Sequence, residues 1–331
     1  MAHFLWTVFF AFLLCLRYYF FNDLFDIIKN DSSSFLQGEG ERDLISMNQF
    51  EVLHTHVNYA AAAYCRNHQL KNWTCGSRCV GEVIIENFFH DNLKGACGYI
   101  AYNKKNKSII ISFRGSQDLP NWAYNLEFAL LDYEFPGVEG ALVHRGIYEV
   151  YDRVKSSILT NIQLMMTREE NSCRGYDIIV TGHSLGGALA SFLAIDIKRY
   201  IQDPILDERI NGIPFTINLT TIGAPRIGND VFAKIIMNEL IFQTTPFKHH
   251  VSRITHRNDV ITHLPPSKNG FVHHPHEIWV KSIDETYICR DIDYGEPSVD
   301  LSCSAGASFF DISVHLFIWD INFISICTCD T

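Results

Sequence analysis

The sequence predicts an α/β fold in a single domain, with a mostly parallel central sheet and helices on both faces. Short apolar runs rich in β-branched residues alternate with longer segments whose apolar residues recur every three or four positions. Of the 331 residues, 47% are hydrophobic, which is enough for one sizeable core. No repeat or linker interrupts the chain after its start, so we expect the folded domain over residues 45–331, preceded by a variable segment at 22–44.

The predicted elements follow one another in a regular order. Continuous apolar runs typical of strands buried on both faces occur at 108–113, 177–181, 217–222 and 251–254. Helical spacing of apolar residues occurs at 45–65, at 147–165 and, with small residues, at 187–194. This alternation favours parallel strands joined by helical crossovers.

The net charge of −10, from 37 acidic and 27 basic residues, excludes some classes of partner. Nucleic-acid binding depends on basic residues that neutralise phosphates, and this chain has no basic run. Purely electrostatic attachment to an anionic membrane is disfavoured for the same reason. No obligate protein partner is indicated by the sequence.

Residues 1–21 are predicted to be a secretory signal. The run 4–16 is apolar and free of charge, and Arg17 follows it. Its length fits the apolar core of a signal peptide and falls short of the roughly 20 residues that span a bilayer. Residues 18–21 extend the apolar run, so an uncleaved membrane anchor is the alternative, and a buried first helix is a third interpretation. We therefore expect a secreted protein or one in the lumen of the secretory pathway.

Cysteines and glycosylation sequons also fit export. Cys75 and Cys79 flank a short turn, and Cys289 and Cys303 bracket a loop, so in an oxidising compartment they indicate disulfides. Half a zinc site is the alternative for the first two, but no second pair of ligands completes it, and we expect no metal. Four N-x-Ser/Thr sequons lie at Asn30, Asn72, Asn106 and Asn218.

The strongest chemical signal is the pentapeptide 182–186, which fits the pattern G-x-S-x-G. The bare pattern is weak, but here it directly follows a predicted strand and begins a predicted helix, as a nucleophile elbow requires. We predict that Ser184 is a nucleophile, and that a Cβ at Gly182 or Gly186 would collide with the neighbouring strand or helix. The alternative is a serine that only caps the helix.

A nucleophilic serine needs a base, and the base needs an orienting acid. Asp259 is the best candidate for the acid because it follows a predicted strand and precedes a proline pair; its alternative is a residue of an Asx turn. For the base we prefer His315, since five other histidines lie too close to Asp259 in sequence to reach across to Ser184. Those histidines are His256, His263, His273, His274 and His276. The alternative is that His315 is a core histidine whose hydrogen bonds are satisfied and which has no catalytic role.

Acyl transfer also needs donors that stabilise an oxyanion. The first is the backbone N–H of Leu185, which follows the nucleophile. The second should come from a loop after an earlier strand, and Ser116, which follows the run 108–113, is our candidate. An ordinary turn is the alternative for this segment.

Taken together with their flanking segments, these motifs resemble those of the fungal (class 3) lipase family of α/β-hydrolases. The resemblance runs from about residue 45 to the end of the chain. It is carried by the segments TGHSLGGALAS, SFRGSQDLPNW, GAPRIGN, RITHRNDVITHLPP, NYAAAAYC, HEIWV and SVHLFIW. It implies a catalytic triad of Ser184, Asp259 and His315, with Ser116 and Leu185 as the oxyanion hole.

The resemblance implies three further features. The segment after Ser116 corresponds to a lid, in which Leu119 and Trp122 would contact substrate; a plain core tryptophan is the alternative for Trp122. The implied disulfides are Cys75 with Cys79, Cys289 with Cys303, and Cys65 with Cys327 or else Cys329, whereas Cys97 and Cys173 have no clear counterpart. The spacing between Ser184 and Asp259 exceeds that usual in the family, and we expect the excess in surface loops at 200–214 and 239–249.

The resemblance therefore implies a secreted serine lipase that hydrolyses triacylglycerols through an acyl-enzyme and uses no cofactor. Its partner would be a lipid or ester substrate at an oil–water or membrane interface. Phospholipase A1 activity, or hydrolysis of a soluble ester such as a feruloyl ester, is the alternative on the same fold. A non-catalytic lipid-binding protein is a remote alternative.

Overall fold

A computed structural model describes residues 43–91, 95–118, 126–202, 214–241, 250–293 and 296–323. Nine strands form the main sheet: β1 (Asp43–Leu44), β2 (Ile84–His90), β3 (Cys97–Asn103), β4 (Ser108–Phe113), β7 (Asp177–His183), β8 (Ile217–Ile222), β9 (His250–His256), β10 (Glu277–Val280) and β11 (Thr286–Ile288). Three short pairs lie outside it: β5 (Leu130–Asp132) with β6 (Leu142–His144), β12 (Ile292–Asp293) with β13 (Glu296–Pro297), and β14 (Phe317–Ile318) with β15 (Ile321–Asn322).

The main sheet is parallel at its centre and antiparallel at both edges. Its strand order is β1-β11-β10-β9-β8-β7-β4-β3-β2. Strands β4, β7, β8, β9 and β10 run parallel to one another, whereas β3 pairs antiparallel with β4, β11 pairs antiparallel with β10, and the outer strands β2 and β1 are antiparallel as well. The predicted α/β architecture is therefore confirmed, and the antiparallel edges are an addition that the buried-strand pattern did not reveal. Because the central strands are parallel, their carboxyl ends meet at one end of the sheet.

Five α-helices accompany the sheet within the described residues. They are α1 (Met47–Ala62), α2 (Asn67–Lys71), α3 (Arg145–Thr167), α4 (Leu185–Gln202) and α5 (Asp230–Ile236). A π-helical turn covers Met237–Ile241, and short 3-10 helices cover Gly76–Arg78, Val260–His263, Ser267–Asn269, Ser304–Gly306 and Ser313–Leu316.

The first predicted helix is confirmed, and the structure defines its ends more closely than the spacing of apolar residues does. Ser46 caps α1: its side chain accepts a hydrogen bond from the backbone N–H of Gln49, and the Gln49 side chain accepts one from the Ser46 N–H. This capping box satisfies two backbone donors that have no partner within the helix. Ile45, inside the predicted range, therefore lies before the helix begins.

Helices cover both faces of the sheet, as predicted. Along β4, Ile109 and Ile111 belong to the core shared with α3 and α4, whereas Ile110 packs in the cluster that contains α1 residues. Successive side chains of a strand point to opposite faces, so a strand covered on both sides is apolar throughout. All six residues of β4 are buried, which explains the continuous apolar run in its sequence.

The described residues contain two of the three disulfides that the resemblance implies, Cys75–Cys79 and Cys289–Cys303. Cys65 is also disulfide-bonded, but its expected partners, Cys327 and Cys329, lie outside the described residues. Cys97 and Cys173 are buried free thiols.

Several expectations fall outside the described part of the chain. The leader at 1–21, most of the segment 22–44, and the greater part of both expected loops, at 203–213 and 242–249, are not described. Among the helices that are described, none is long and apolar enough to cross a bilayer.

Candidate active site

Ser184 lies at the sharp turn between the carboxyl end of β7 and the start of α4. Its φ of 59° is in the left-handed region, a conformation that costs energy for a residue with a side chain. The turn is held by a 2.8 Å hydrogen bond from the Ser184 N–H to the carbonyl oxygen of Ile222 on β8. This is the strand–turn–helix geometry of a nucleophile elbow.

The two glycines of the pentapeptide are required by close backbone contacts. A Cβ on Gly182 would overlap the backbone of Gly186 at the start of α4. A Cβ on Gly186 would overlap the carbonyl oxygen of Phe113 at the end of β4. The turn therefore packs directly against the neighbouring strand, and it does so only because both side chains are absent.

Asp259 lies three residues beyond the end of β9 and is buried, with 1% of its surface exposed. Its Oδ1 accepts a 2.9 Å hydrogen bond from the Ile261 N–H and so caps the 3-10 helix Val260–His263. Its Oδ2 lies 2.6 Å from Nδ1 of His315. The two interpretations of Asp259 are therefore compatible, because one oxygen forms the Asx turn and the other faces the histidine.

His315 lies in the 3-10 helix Ser313–Leu316 and is 1% exposed. A carboxylate at Nδ1 sets the tautomer that leaves Nε2 free to accept a proton. Both Nε2 of His315 and Oγ of Ser184 are buried and have no hydrogen-bond partner among the described residues. Unsatisfied buried polar atoms are uncommon, and a reactive role is one of their recognised explanations.

Ser184, Asp259 and His315 meet around Gly223, which directly follows β8. The Ser184 N–H binds the carbonyl oxygen of Ile222, the residue before this glycine. A Cβ on Gly223 would lie 3.0 Å from Cε1 of His315 and 3.2 Å from Oδ2 of Asp259. The structure thus places the three predicted residues around the segment Ile222–Gly223, although they are far apart in sequence, and the Ser184 and His315 side chains do not hydrogen-bond to each other.

Four of the five other histidines near Asp259 have backbone partners instead. His256 Nδ1 lies 2.9 Å from the Val314 carbonyl oxygen, and His273 Nε2 lies 2.7 Å from that of Thr262. His263 contacts the carbonyl oxygens of Asp259 and Ser304, and His274 contacts that of Pro275. Burial lowers the pKa of each of these four histidines, to about 3 for His274. They are neutral structural groups; His276, with a φ of 70°, lies at the turn before β10.

Of the two predicted oxyanion donors, Leu185 directly follows the nucleophile, and Ser116 follows a glycine that packs against it. Leu185 is the first residue of α4, where backbone N–H groups have no acceptor within the helix and carry partial positive charge. Ser116 follows Gly115 in the segment after β4. A Cβ on Gly115 would lie 3.0 Å from the Cβ of Ser184, so this segment, which we call the oxyanion loop (114–116), packs against the elbow.

We expect Gly115→Ala to reduce ester-hydrolysis activity strongly, by about 10²-fold or more, because the oxyanion loop would have to move. The added methyl group would overlap Tyr64 Oη and the carbonyl oxygen of His183. The activity of purified folded protein tests this. Gly146→Ala is the matched control, since its Cβ would find only ordinary contacts at 3.7 Å and beyond. Equal activity in the two variants would contradict the expected role of this loop.

An apolar cluster adjoins the acid and the histidine. Val260, Ile261 and Leu264 form its buried centre, and partly buried apolar side chains pack around them. These are Leu126, Phe128, Phe310, Ile312 and Leu316. Phe309 beside the cluster is 70% exposed. The predicted lid residues Leu119 and Trp122 lie outside the described residues.

Two polar side chains that border the site were assigned no role from the sequence. Tyr64 follows the end of α1, and its Oη lies 2.7 Å from Nδ1 of His183, the residue before the nucleophile. Burial, and then the nearby His315, hold the pKa of His183 well below its usual value, whereas burial raises that of Tyr64. Both residues fall inside segments that carry the family resemblance, but neither residue type signals such a contact by itself.

The family described as lipase (class 3) matches residues 110–269 of this chain. A lipase from Rhizopus niveus is 31% identical over 279 residues, which cover 83% of this chain and 64% of that relative. The chain thus spans less than two thirds of the length of this relative. A secreted mono- and diacylglycerol lipase 1 from Fusarium solani is 29% identical over 283 residues, covering 83% of this chain and 76% of the relative.

Solved structures show the same likeness. Lipase II from Rhizopus niveus superposes with a TM-score of 0.71 at 30% identity, over 85% of this chain and 98% of that one. The match therefore extends through almost all of a solved relative, including both sides of the elbow.

Proposed function

Because the chain belongs to the class 3 lipase family, we propose that it is a secreted lipase that hydrolyses acylglycerol esters through an acyl-enzyme on Ser184. The observation that carries the proposal is the meeting of the Ser184 elbow with the 2.6 Å pair of His315 and Asp259. Ser184 follows β7, Asp259 follows β9 and His315 lies in the 3-10 helix Ser313–Leu316, so the three residue types needed for acyl transfer come from separate segments of the chain.

In the proposed reaction His315 Nε2 takes the proton from Ser184 Oγ as the oxygen attacks the ester carbonyl carbon. Asp259 stays ionised and stabilises the imidazolium that forms. The N–H groups of Leu185 and Ser116 donate to the carbonyl oxygen as it becomes negative, and removal of one such donor typically costs about 3 kcal/mol of barrier. His315 then returns the proton to the alcohol as the C–O bond breaks. Water, activated in the same way, attacks the acyl-enzyme and releases the acid.

A lipid substrate is supported by the apolar cluster beside the triad. It offers an acyl chain an apolar surface next to the reacting carbonyl, and Phe309 extends it into solvent. Burying an acyl chain here is favourable at about 0.8 kcal/mol per methylene group. Leu119 and Trp122 remain our proposal for the lid, which would cover this surface in water and expose it at an interface.

Export and domain limits also remain proposals. The leader at 1–21 and the two disulfides support a secreted protein whose catalytic domain spans 45–331. The Fusarium relative is described as secreted, which agrees with this location.

Comparing three substrates tests the proposed substrate class. We expect the purified protein to hydrolyse emulsified triolein faster than phosphatidylcholine vesicles and faster than a dissolved short-chain ester. Because the apolar surface gains most from long chains at an interface, the rate should rise once triolein exceeds its solubility. Faster hydrolysis of the vesicles would instead indicate phospholipase A1 activity, and preference for the dissolved ester would indicate a soluble-ester esterase.

A further inference from the structure

A buried chain of hydrogen bonds joins four segments behind the candidate active site. The backbone N–H of Gly115 donates to Tyr64 Oη at 3.1 Å. Tyr64 Oη lies 2.7 Å from His183 Nδ1, and His183 Nε2 lies 2.8 Å from the carbonyl oxygen of His315. Because a carbonyl can only accept, Nε2 of His183 carries the proton, and its Nδ1 accepts from the tyrosine hydroxyl. The Tyr64 hydroxyl therefore accepts one hydrogen bond and donates another, and each nitrogen of the His183 ring makes one.

Contacts between aromatic rings also hold the two side chains of this hydrogen-bonded chain in place. The His183 ring stacks on Phe323 at a centroid distance of 3.9 Å and an angle of 12°, and it lies 4.5 Å from the His315 ring. Tyr64 packs edge-on against both His183 and Phe323. The imidazole of His183 is thus enclosed between the catalytic imidazole and an aromatic wall, with both of its nitrogens engaged.

The tautomer and charge of His183 matter for the neighbouring His315. Deep burial and proximity to His315 hold the pKa of His183 far below its usual range, so the ring is neutral at physiological pH. A second proton on Nδ1 would face the tyrosine hydroxyl, whose oxygen already accepts from Gly115. A neutral His183 ring allows His315 to become positively charged during turnover. A positively charged His183 at this distance would disfavour that charge by repulsion.

We propose that Tyr64 and His183 are positioning residues that tie the oxyanion loop and the catalytic histidine to the nucleophile elbow as one unit. The inference rests on the proposed function. Neither side chain is placed to touch substrate; Tyr64 acts through the Gly115 amide, and His183 acts through the His315 carbonyl. A shift of about 1 Å in either group is enough to cost on the order of 10²-fold in rate, because transition-state donors must be placed in advance.

Tyr64→Phe tests this role because it keeps the ring and removes both hydrogen bonds of the hydroxyl. We expect kcat on a dissolved short-chain ester, per active site titrated with an organophosphonate, to fall about 10- to 100-fold with KM changed less than twofold. Tyr99→Phe is the matched control. Tyr99 is fully buried, whereas Tyr64 is partly buried, and the Tyr99 hydroxyl donates one hydrogen bond, at 2.9 Å, to the Tyr59 carbonyl oxygen, away from the site. Its kcat should stay within twofold of the wild type.

Two variants of His183 give a second, independent readout. His183→Gln retains a donor and an acceptor, and His183→Phe retains only the stacking surface. We expect the glutamine variant to recover part of the kcat that the phenylalanine variant loses, at equal titrated active-site concentration. Loss of kcat that follows only the melting temperature, with Tyr64→Phe and Tyr99→Phe alike, would overturn the inference. So would an unchanged kcat in Tyr64→Phe.

Failure of the proposed function would look different from failure of this inference alone. If the proposed function is wrong, the wild-type protein will hydrolyse no ester and react with no phosphonate, and the positioning role will be wrong as well. If the wild type is active and titratable, only the ratio between Tyr64→Phe and Tyr99→Phe decides the role of the hydrogen-bonded chain.

Discussion

Replacing Ser184 with alanine is expected to reduce kcat for ester hydrolysis by about 10⁴-fold or more, equivalent to at least about 5 kcal/mol of barrier. The substitution removes the only atom that can form the acyl-enzyme, and no other group of the proposed mechanism replaces it. The Ser184 side chain makes no hydrogen bond within the described structure, so its loss should not destabilise the fold. Rates on emulsified triolein, measured beside the melting temperature, check both expectations.

Ser191→Ala is the matched control for that variant. Ser191 is also buried and lies about two turns further along, within α4, where its Oγ donates to the Gly187 carbonyl oxygen at 3.1 Å. It should keep wild-type activity. If Ser184→Ala retained more than about a hundredth of the wild-type rate, a covalent intermediate on this serine would be ruled out.

Asp259→Asn is expected to lower kcat by about 10⁴-fold while leaving the local fold intact. The amide oxygen can still accept from the Ile261 N–H, which places the amide N–H₂ toward His315 Nδ1. Two donors then face each other unless the imidazole moves its proton to Nε2. In that tautomer Nε2 cannot accept the serine proton, so base catalysis is lost.

The control for this change is another buried aspartate with a structural task. Asp196 accepts a hydrogen bond from Tyr151 Oη at 2.6 Å and pairs with Lys155 at 2.8 Å. Asp196→Asn should cost stability but leave kcat of the folded protein unchanged. Comparable kcat values for Asp259→Asn and the wild type would remove Asp259 from the proposed mechanism and leave it only as the cap of a 3-10 helix.

The nucleophile and the acid could be predicted because their signals are local. Ser184 lies in a strand–turn–helix segment whose glycines are needed at contacts within a few residues or across one neighbouring strand. Asp259 follows a strand and forms a turn with its own backbone, and the turn signal is present in the sequence. The structure adds that the same carboxylate serves both the turn and the histidine.

The histidine could not be chosen from spacing alone. Six histidines follow the nucleophile at plausible positions, from His256 to His315, and burial makes most of them neutral core groups. Spacing favoured His315, but the firmer ground was the resemblance of the segment around it to a known family. The structure distinguishes it physically among these six: the others with side-chain hydrogen bonds face backbone carbonyls, whereas His315 Nδ1 faces a carboxylate.

The amino-acid sequence by itself determined the α/β class, the central strands and the elbow, because apolar periodicity and glycine turns are properties of adjacent residues. Only the tertiary structure decided the antiparallel edges, the contact between His315 and Asp259, and the chain of hydrogen bonds from Gly115 through Tyr64 and His183 to His315. Those contacts join residues far apart along the chain, and their geometry depends on how sheet and helices pack. A residue type states which bonds a side chain can make, but packing decides which partner it meets.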